Sequence, residues 1–184
     1  IFGERAVLLG GVHAIVEFLF RHYQNLGATP EEAFVRSTES LTGPITKTLS
    51  RSGFLGVYES LSEEGKRVFR RAYGAAYWPS YEVHYEIYQE VASGNEIRSV
   101  LLAADRMKKI PMGKIDESYM WKVGEKVRAA RSSASTPLDP FTAGVYVAAM
   151  VAQVDLLEEM GHAYSEIVNE SVIEAVDSLN PFMH

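Results

Sequence analysis

Apolar residues recur at three- and four-residue steps along most of the chain, which predicts amphipathic α-helices. The first predicted helix runs from Ala6 to Leu26, with apolar positions at Val7, Leu8, Gly11, Ile15, Phe18, Leu19 and Tyr23. No stretch alternates apolar and polar residues as a half-buried strand does, and no Asn-Gly hairpin turn occurs. The pattern therefore predicts an all-α fold.

Capping signals mark the second predicted helix. Gly27 suits the residue that follows a helix, and the segment Thr29 to Glu32 is typical of a capping box with proline in the first turn. We expect this helix to end near Leu41 or Leu49. We also expect an interruption at Gly43-Pro44, because the residue before a proline disfavours the helical conformation.

Similar signals divide the middle of the chain. Ser62-Glu63-Glu64 starts a helix that Pro79 is expected to stop, and Ser93-Gly94-Asn95 ends the next one. Helices are predicted over residues 67–78, 81–91 and 96–109. From Ile110 to Asp139 the periodicity fails, and the composition of Arg131 to Pro137 indicates a loop.

An internal repeat is predicted from matched glycines. The shift in numbering that places Gly10 on Gly144 also places Ala14 on Ala148, Gly27 on Gly161 and Glu32 on Glu166. We call this constant offset the repeat shift. A duplicated helical unit of this kind would divide the chain into a first repeat over about residues 1–60, connecting helices over about 61–135 and a second repeat over about 136–184.

Composition and charge exclude several classes of protein. The 184 residues are 47% hydrophobic and 23% charged, with a formal net charge of -6, which disfavours nucleic-acid binding. The absence of cysteine excludes disulfide scaffolds and thiolate sites, and five scattered histidines do not indicate a histidine metal site. The longest apolar stretch, Ala143 to Ala152, is shorter than the ~20 residues of a membrane-spanning helix.

Three carboxylates are candidates for chemistry. Glu170 and Glu174 lie four residues apart on one helix face, ~5–6 Å from each other, where a hard divalent cation such as Mg²⁺ would offset their repulsion. The alternative is a solvated acidic face. Glu4 precedes the first helix, where the macrodipole alone also favours a carboxylate.

Five sequence segments resemble the C-terminal helical domain of ketol-acid reductoisomerases of the long, plant-type class. They are Ile1 to Val12, Met112 to Asp116, Met120 to Arg128, Pro140 to Tyr146 and Tyr164 to His184. The resemblance implies a knotted helical domain with two copies of a helical unit. It also implies an N-terminal NADPH-binding domain outside this chain, so both ends are expected to be cut from a longer protein.

The same resemblance implies the activity. The family converts 2-acetolactate or 2-aceto-2-hydroxybutyrate to 2,3-dihydroxy acids in branched-chain amino-acid biosynthesis, using two Mg²⁺ ions and NADPH. This chain would supply the metal- and substrate-binding half and be inactive alone. The partners expected are the small-molecule substrate and further copies in a homodimer or larger homo-oligomer, with no nucleic acid and no membrane. The expected compartment is the chloroplast stroma, or the cytoplasm for a bacterial protein.

Roles for individual residues follow from the family motifs. Glu4 would hold one Mg²⁺ with an aspartate expected just before Ile1, and Glu170 and Glu174 would hold the second, with Glu174 also handling a proton. Leu8, Leu9 and Leu179 are the candidates for the pocket around the alkyl groups of the substrate.

The repeat adds a contrast between its two copies. Under the repeat shift, Glu170 and Glu174 correspond to Arg36 and Ser40, and Glu4 corresponds to Leu138. Each copy thus keeps half of one site, which predicts one functional site per chain. The alternative is a non-catalytic helical domain for packing or dimerisation. A di-iron carboxylate protein is rejected, because that class needs a Glu-x-x-His motif on each of two helices, and the sequence has it once, from Glu159 to His162.

Overall fold

The computed structural model describes residues 2–110, 117–131 and 136–180, without the side chains of residues 178 and 179. These ranges contain helices and no β-strand, so the all-α prediction is confirmed. The helices are numbered α1 to α7 in chain order. They comprise Glu4–Gly11 and Val12–Asn25 (α1); Pro30–Phe34, Val35–Glu39, Leu41–Ile45 and Thr46–Glu59 (α2); Glu63–Ala92 (α3); Asn95–Lys109 (α4); Tyr119–Ala129 (α5); Pro140–Glu159 (α6); and Tyr164–Val168 and Asn169–Leu179 (α7).

Helix α6 forms the centre of the fold. By length and composition it could span a membrane, but 67% of its most apolar window is buried inside the protein. A helix that is apolar on every side must be enclosed, and α6 is contacted by α3, α7, α1 and α2. The main core therefore collects apolar side chains from several helices, including Val7, Leu8, Leu41, Ile45, Phe69, Tyr146 and Met150.

The most extensive contact between two helices joins α3 to α6. Gly144 lies so close to α3 that a Cβ atom there would be 2.6 Å from the carbonyl oxygen of Phe69 and 2.8 Å from the Cβ of Ala72. Farther along, the Tyr77 hydroxyl donates to the Asp155 carboxylate at 2.6 Å. Helices α3 and α6 thus approach closely near the start of α6 and are joined by a side-chain hydrogen bond towards its end.

Pro79 does not end a helix, contrary to the sequence prediction. Helix α3 runs from Glu63 to Ala92 with Pro79 inside it. The proline ring and Ala75, whose carbonyl loses its i+4 donor, both lie on the exposed side of the helix. Water can therefore satisfy that carbonyl, while the opposite side of α3 remains packed on α6.

The expected interruption at Gly43-Pro44 is also wrong. Helix α2 continues through Pro44 as a π-helical segment, which has wider turns than an α-helix. The hydroxyls of Thr42 and Thr46 donate to the carbonyls of Thr38 and Thr42 at 2.8 and 3.0 Å, so side chains add hydrogen bonds to the main chain of this segment. The helical conformation instead breaks at Gly53, where φ is 69°.

The aperiodic stretch from Ile110 to Asp139 contains one helix that the pattern did not predict. Ser118 caps α5 by accepting from the Trp121 amide at 3.2 Å. Helix α5 then packs against α2 through Gly124, where a Cβ atom would lie 2.6 Å from the ring of Phe34. Residues 111–116 and 132–135 lie outside the described residues.

Local geometry recurs at positions related by the repeat shift. Gly27 and Gly161 both have positive φ, 93° and 81°. Each follows a helix whose end is closed by the same bond: the Ala28 amide donates to the Tyr23 carbonyl at 3.0 Å, and the His162 amide donates to the Leu157 carbonyl at 3.1 Å. The following helices begin at Pro30 and Tyr164, which the same shift relates. These matches support the duplication, which stays a prediction together with the knot and the repeat boundaries.

Close packing at Gly144 gives a stability prediction. We expect Gly144→Ala to lower the free energy of unfolding by about 1–3 kcal/mol, because the new methyl group must push α3 away. The matched control is Gly74→Ala, since a Cβ at Gly74 meets nothing within 4 Å. That control should raise stability by roughly 0.5–1 kcal/mol, the usual gain for alanine over glycine in a helix. Urea unfolding measures both variants, and equal effects would contradict the packing argument.

Burial of His84 predicts a pH dependence of stability. Burial lowers the pKa of this imidazole to about 4, and its Nδ1 has no hydrogen-bond partner among the described residues. The unfolded chain binds a proton near pH 6.5 that the folded protein resists, so stability is complete above that pH and falls as the pH drops towards 4. Between pH 7 and pH 5 this group should cost about 2 kcal/mol.

The His84 prediction is checked by denaturant unfolding at both pH values. His84→Leu should show a smaller loss between pH 7 and pH 5 than the parent protein. His13→Leu, which alters an exposed histidine, should leave the loss unchanged. An unaltered loss in His84→Leu would contradict the prediction.

Candidate metal centre

Glu4 lies on a distorted first segment of α1. The segment Glu4–Gly11 is π-helical, with a kink at Ala6, where ψ is -107°. A Cβ atom at Gly10 would lie 2.3 Å from the Arg5 carbonyl oxygen, and one at Gly11 would lie 2.2 Å from that of Ala6. The two glycines therefore allow the local backbone geometry that places Glu4 at the start of the helix.

Glu170 and Glu174 lie on the π-helical second segment of α7, Asn169–Leu179. The side-chain amide of Asn169 donates to Oε1 of Glu174 at 3.2 Å. Because two like charges lie on one helix, this neutral donor partly compensates for their repulsion. It also fixes one oxygen of Glu174 relative to its own helix.

The two carboxylate-bearing segments contact each other. A Cβ atom at Gly3 would lie 3.5 Å from Oε2 of Glu170 and 3.0 Å from Cδ1 of Leu8. Glu170 thus reaches Gly3, the residue immediately before Glu4. The Cα atoms of these two consecutive residues are ~3.8 Å apart. A side chain at position 3 would fill the space beside the Glu170 carboxylate.

The donor set suits Mg²⁺ in kind. All three candidate ligands are carboxylates, and Mg²⁺ usually binds through one or two protein carboxylates while it keeps several waters. Within residues 2–110, 117–131 and 136–180, no group of three His, Asp or Glu side chains is placed to hold a metal together. The assignment of Glu4, Glu170 and Glu174 as joint ligands therefore stays a prediction.

A cavity of about 370 Å³ opens beside Glu170. Its polar wall is a chain of contacts in which the Tyr88 hydroxyl meets Nε2 of His162 at 3.0 Å. Nδ1 of His162 lies 3.2 Å from Oε2 of Glu166. Phe2 and Leu157 supply apolar lining. The cavity therefore offers both apolar surface and titratable groups within reach of Glu170.

The three predicted substrate-pocket leucines differ in position. Leu8 is buried in the main core directly beneath Gly3, and Leu9 is 40% exposed. The side chain of Leu179 lies outside the described part of the chain. The substrate-binding role of these leucines stays a prediction.

The repeat-related position in α2 holds an ion pair. Nε of Arg36 donates to Oδ2 of Asp139 at 2.8 Å, and Ser40 accepts from the Asp139 amide at 2.7 Å. The Tyr23 hydroxyl donates to the other Asp139 oxygen at 2.7 Å, and its ring lies 3.9 Å from the guanidinium of Arg36. Burial, followed by the charge of Asp139, raises the pKa of Tyr23.

This ion pair changes the chemistry of the α2 position. Under the repeat shift Arg36 and Ser40 stand where α7 has Glu170 and Glu174. The carboxylate of Asp139 is paired with the Arg36 guanidinium and accepts from two main-chain amides. A second all-carboxylate site is therefore not built here from Arg36, Ser40 and their described neighbours.

Gln153 and Ser171 were not predicted as site residues, yet both are fully buried between the helices that carry the carboxylates. The Oε1 atom of Gln153 accepts from the Val7 amide at 3.1 Å, and its Nε2 donates to Ser171 at 2.9 Å. A signal was present in the sequence, because Gln153 is a polar residue that directly follows the longest apolar run of the chain, Ala143 to Ala152.

Comparison with known proteins places these features in a family. The model of "Ketol-acid reductoisomerase, C-terminal domain" matches residues 1–133. The chain is 58% identical over 191 residues to the chloroplastic ketol-acid reductoisomerase of Spinacia oleracea, covering 100% of this chain and 32% of that protein. For the Pisum sativum protein of the same name, identity is 56% over 191 residues, with 100% and 33% covered.

A more distant relative is the ketol-acid reductoisomerase (NAD(+)) of Desulfosudis oleivorans. It is 29% identical over 134 residues, covering 70% of this chain and 38% of the bacterial protein. The chain spans about a third of the length of the two plant relatives, at 32% and 33%.

Proposed function

The chain belongs to the ketol-acid reductoisomerase family, and we propose that it forms the metal- and substrate-binding part of such an enzyme. The complete protein would convert 2-acetolactate or 2-aceto-2-hydroxybutyrate to 2,3-dihydroxy acids for valine, isoleucine and leucine biosynthesis. The observation that carries this proposal is the contact between the segment that begins at Glu4 and the segment that holds Glu170 and Glu174.

Each carboxylate has a proposed role. Glu4 holds one Mg²⁺ ion, and Glu170 and Glu174 hold the second. When bound, the two ions supply electrostatic stabilisation of alkoxide charge on the substrate during alkyl migration. Glu174, whose other contact is the Asn169 amide, takes up or returns a proton. Leu8, Leu9 and Leu179 are the residues proposed to contact the alkyl groups of the substrate.

The nicotinamide cofactor is assigned to the part of the protein outside this chain. The family works with Mg²⁺ and a nicotinamide cofactor, and we propose NADPH, as in the plant-type class. The name of the Desulfosudis oleivorans relative specifies NAD(+), so a test of both cofactors with the complete enzyme decides the preference. The proposed compartment is the plastid, supported by the chloroplastic names of both plant relatives.

A role in self-association is the second candidate function, and one surface favours it. Helix α4 exposes Ile97, Val100 and Leu101, which lie three and four residues apart on one face, and it is contacted mainly by α3. An exposed apolar face of this kind is typical of an interface. We propose that these helices support a homodimer or larger homo-oligomer, which coexists with the metal-binding function. Sedimentation velocity measures the oligomeric state. Leu101→Lys should weaken self-association, and the control Arg98→Lys should leave it unchanged.

The contrast between α7 and α2 predicts the outcome of two substitutions in the full-length enzyme. Glu170→Gln should reduce Mg²⁺-dependent kcat by at least about 100-fold, because a metal ligand loses its charge. Arg36→Gln should retain kcat within about threefold. It should lose some stability, because the buried carboxylate of Asp139 loses its cation.

Steady-state kinetics at saturating Mg²⁺ and thermal unfolding measure both effects separately. A loss of kcat in Arg36→Gln as large as in Glu170→Gln, in folded protein, would contradict the assignment of one functional site to α7. Full activity of Glu170→Gln would contradict the proposed metal site itself.

A further inference from the structure

We propose that Gln153 is a positioning residue that sets the distance between the two carboxylate-bearing helices, and thereby the affinity of the metal site. This inference rests on the proposed function. Gln153 touches neither the carboxylates nor, by its complete burial, the solvent. It acts through the backbone of α1 and the Ser171 hydroxyl of α7.

The side-chain amide of Gln153 uses its two ends on two different helices. Its oxygen accepts from the amide of Val7, three residues after Glu4, at 3.1 Å. Its nitrogen donates to the hydroxyl of Ser171, the residue next to Glu170, at 2.9 Å. One rigid planar group from α6 therefore joins the Glu4 segment to the Glu170 segment.

The orientation of this amide is fixed by its partners. The Val7 main-chain amide can only donate, so the oxygen of Gln153 must face α1. The nitrogen must then face α7, where the Ser171 hydroxyl can accept. Reversing the amide would place two donors against each other in a buried site, at a cost comparable to a lost hydrogen bond.

The location of the Val7 amide explains why α1 needs this contact. Val7 directly follows the kink at Ala6, and its amide is fully buried. A buried main-chain donor must find an acceptor. Gln153 supplies that acceptor, so the kink that orients the Glu4 segment and the contact with α6 depend on each other.

The repeat supplies an internal comparison. Under the repeat shift, Gln153 corresponds to Leu19 and Ser171 corresponds to Ser37. Leu19 is a buried apolar core residue, and the Ser37 hydroxyl donates to the carbonyl of Ala33 within its own helix at 2.7 Å. The polar bridge thus occurs beside Glu170 and Glu174 and is replaced by an apolar contact beside Arg36 and Ser40.

Outer hydrogen bonds of a metal site are expected to tune its affinity. Loss of such a partner typically weakens metal binding by about 10–100-fold. A bridge that is purely structural would lower stability without changing the metal affinity of the folded protein. These two roles are therefore separable by experiment.

The test uses the full-length enzyme without substrate, with Mg²⁺ titrated by calorimetry and Mn²⁺ by electron paramagnetic resonance. Ser171→Ala and Gln153→Met should each raise the dissociation constant of the metal by about 10–100-fold. Ser171→Thr, which keeps the hydroxyl, should restore affinity to within about threefold of the parent. The double variant should show much less than the product of the two single effects, because both remove the same bridge.

Ser37→Ala is the matched control, since it removes a buried hydroxyl at the repeat-related position. It should lose stability, measured by urea unfolding, without a change in metal affinity. Parent-like metal affinity in folded Ser171→Ala would overturn the proposal, even if Gln153→Met failed to fold. An equal loss of affinity in Ser37→Ala would overturn it too. Glu170→Gln tests the proposed metal site separately from the role of Gln153. If this variant binds metal with the affinity of the parent, the metal site itself is misassigned.

Discussion

Enclosure of α6 is the constraint on which the rest of the fold depends. The run from Ala143 to Ala152 within this helix is apolar on every side, so no face of that run can be left in water. Helix α3 covers it along its length, while α1, α2 and α7 cover the remaining surface. The helix segments that carry Glu4 and Glu170 become neighbours because both pack on α6. The candidate metal centre is thus a consequence of how one apolar helix is buried.

Local signals predicted the helix ends well, because they depend on a few neighbouring atoms. The capping box at Thr29 and the positive φ of Gly27 are both present as expected. The two prolines were misjudged, because the cost of a lost main-chain bond depends on what surrounds it. Pro79 faces water and Pro44 lies in a π-helical segment with wider turns. Neither circumstance can be inferred from the presence of a proline in the sequence.

The carboxylates of the candidate site could be predicted from the sequence, but the buried hydrogen bonds that position them could not. Glu170 and Glu174 stand out by spacing, and the resemblance singled out Glu4. The bridge formed by Gln153 was missed, because its two partners are 146 residues and 18 residues away in sequence. A polar residue in an apolar helix indicates that partners must exist, but only the packing of three helices determines which ones they are.

The distorted helices bear on the predicted duplication and on the predicted loss of one of its two sites. π-Helical turns often accompany functional sites, and α7 has them where Glu170 and Glu174 lie. Helix α2 has them too, over Val35–Glu39, which contains Arg36, and over Leu41–Ile45, which directly follows Ser40. The wide turns of α2 therefore occur without those carboxylates, as expected if they belong to the predicted duplicated unit. Under that prediction, a change of side chains at a few positions would separate the proposed metal centre from the buried ion pair.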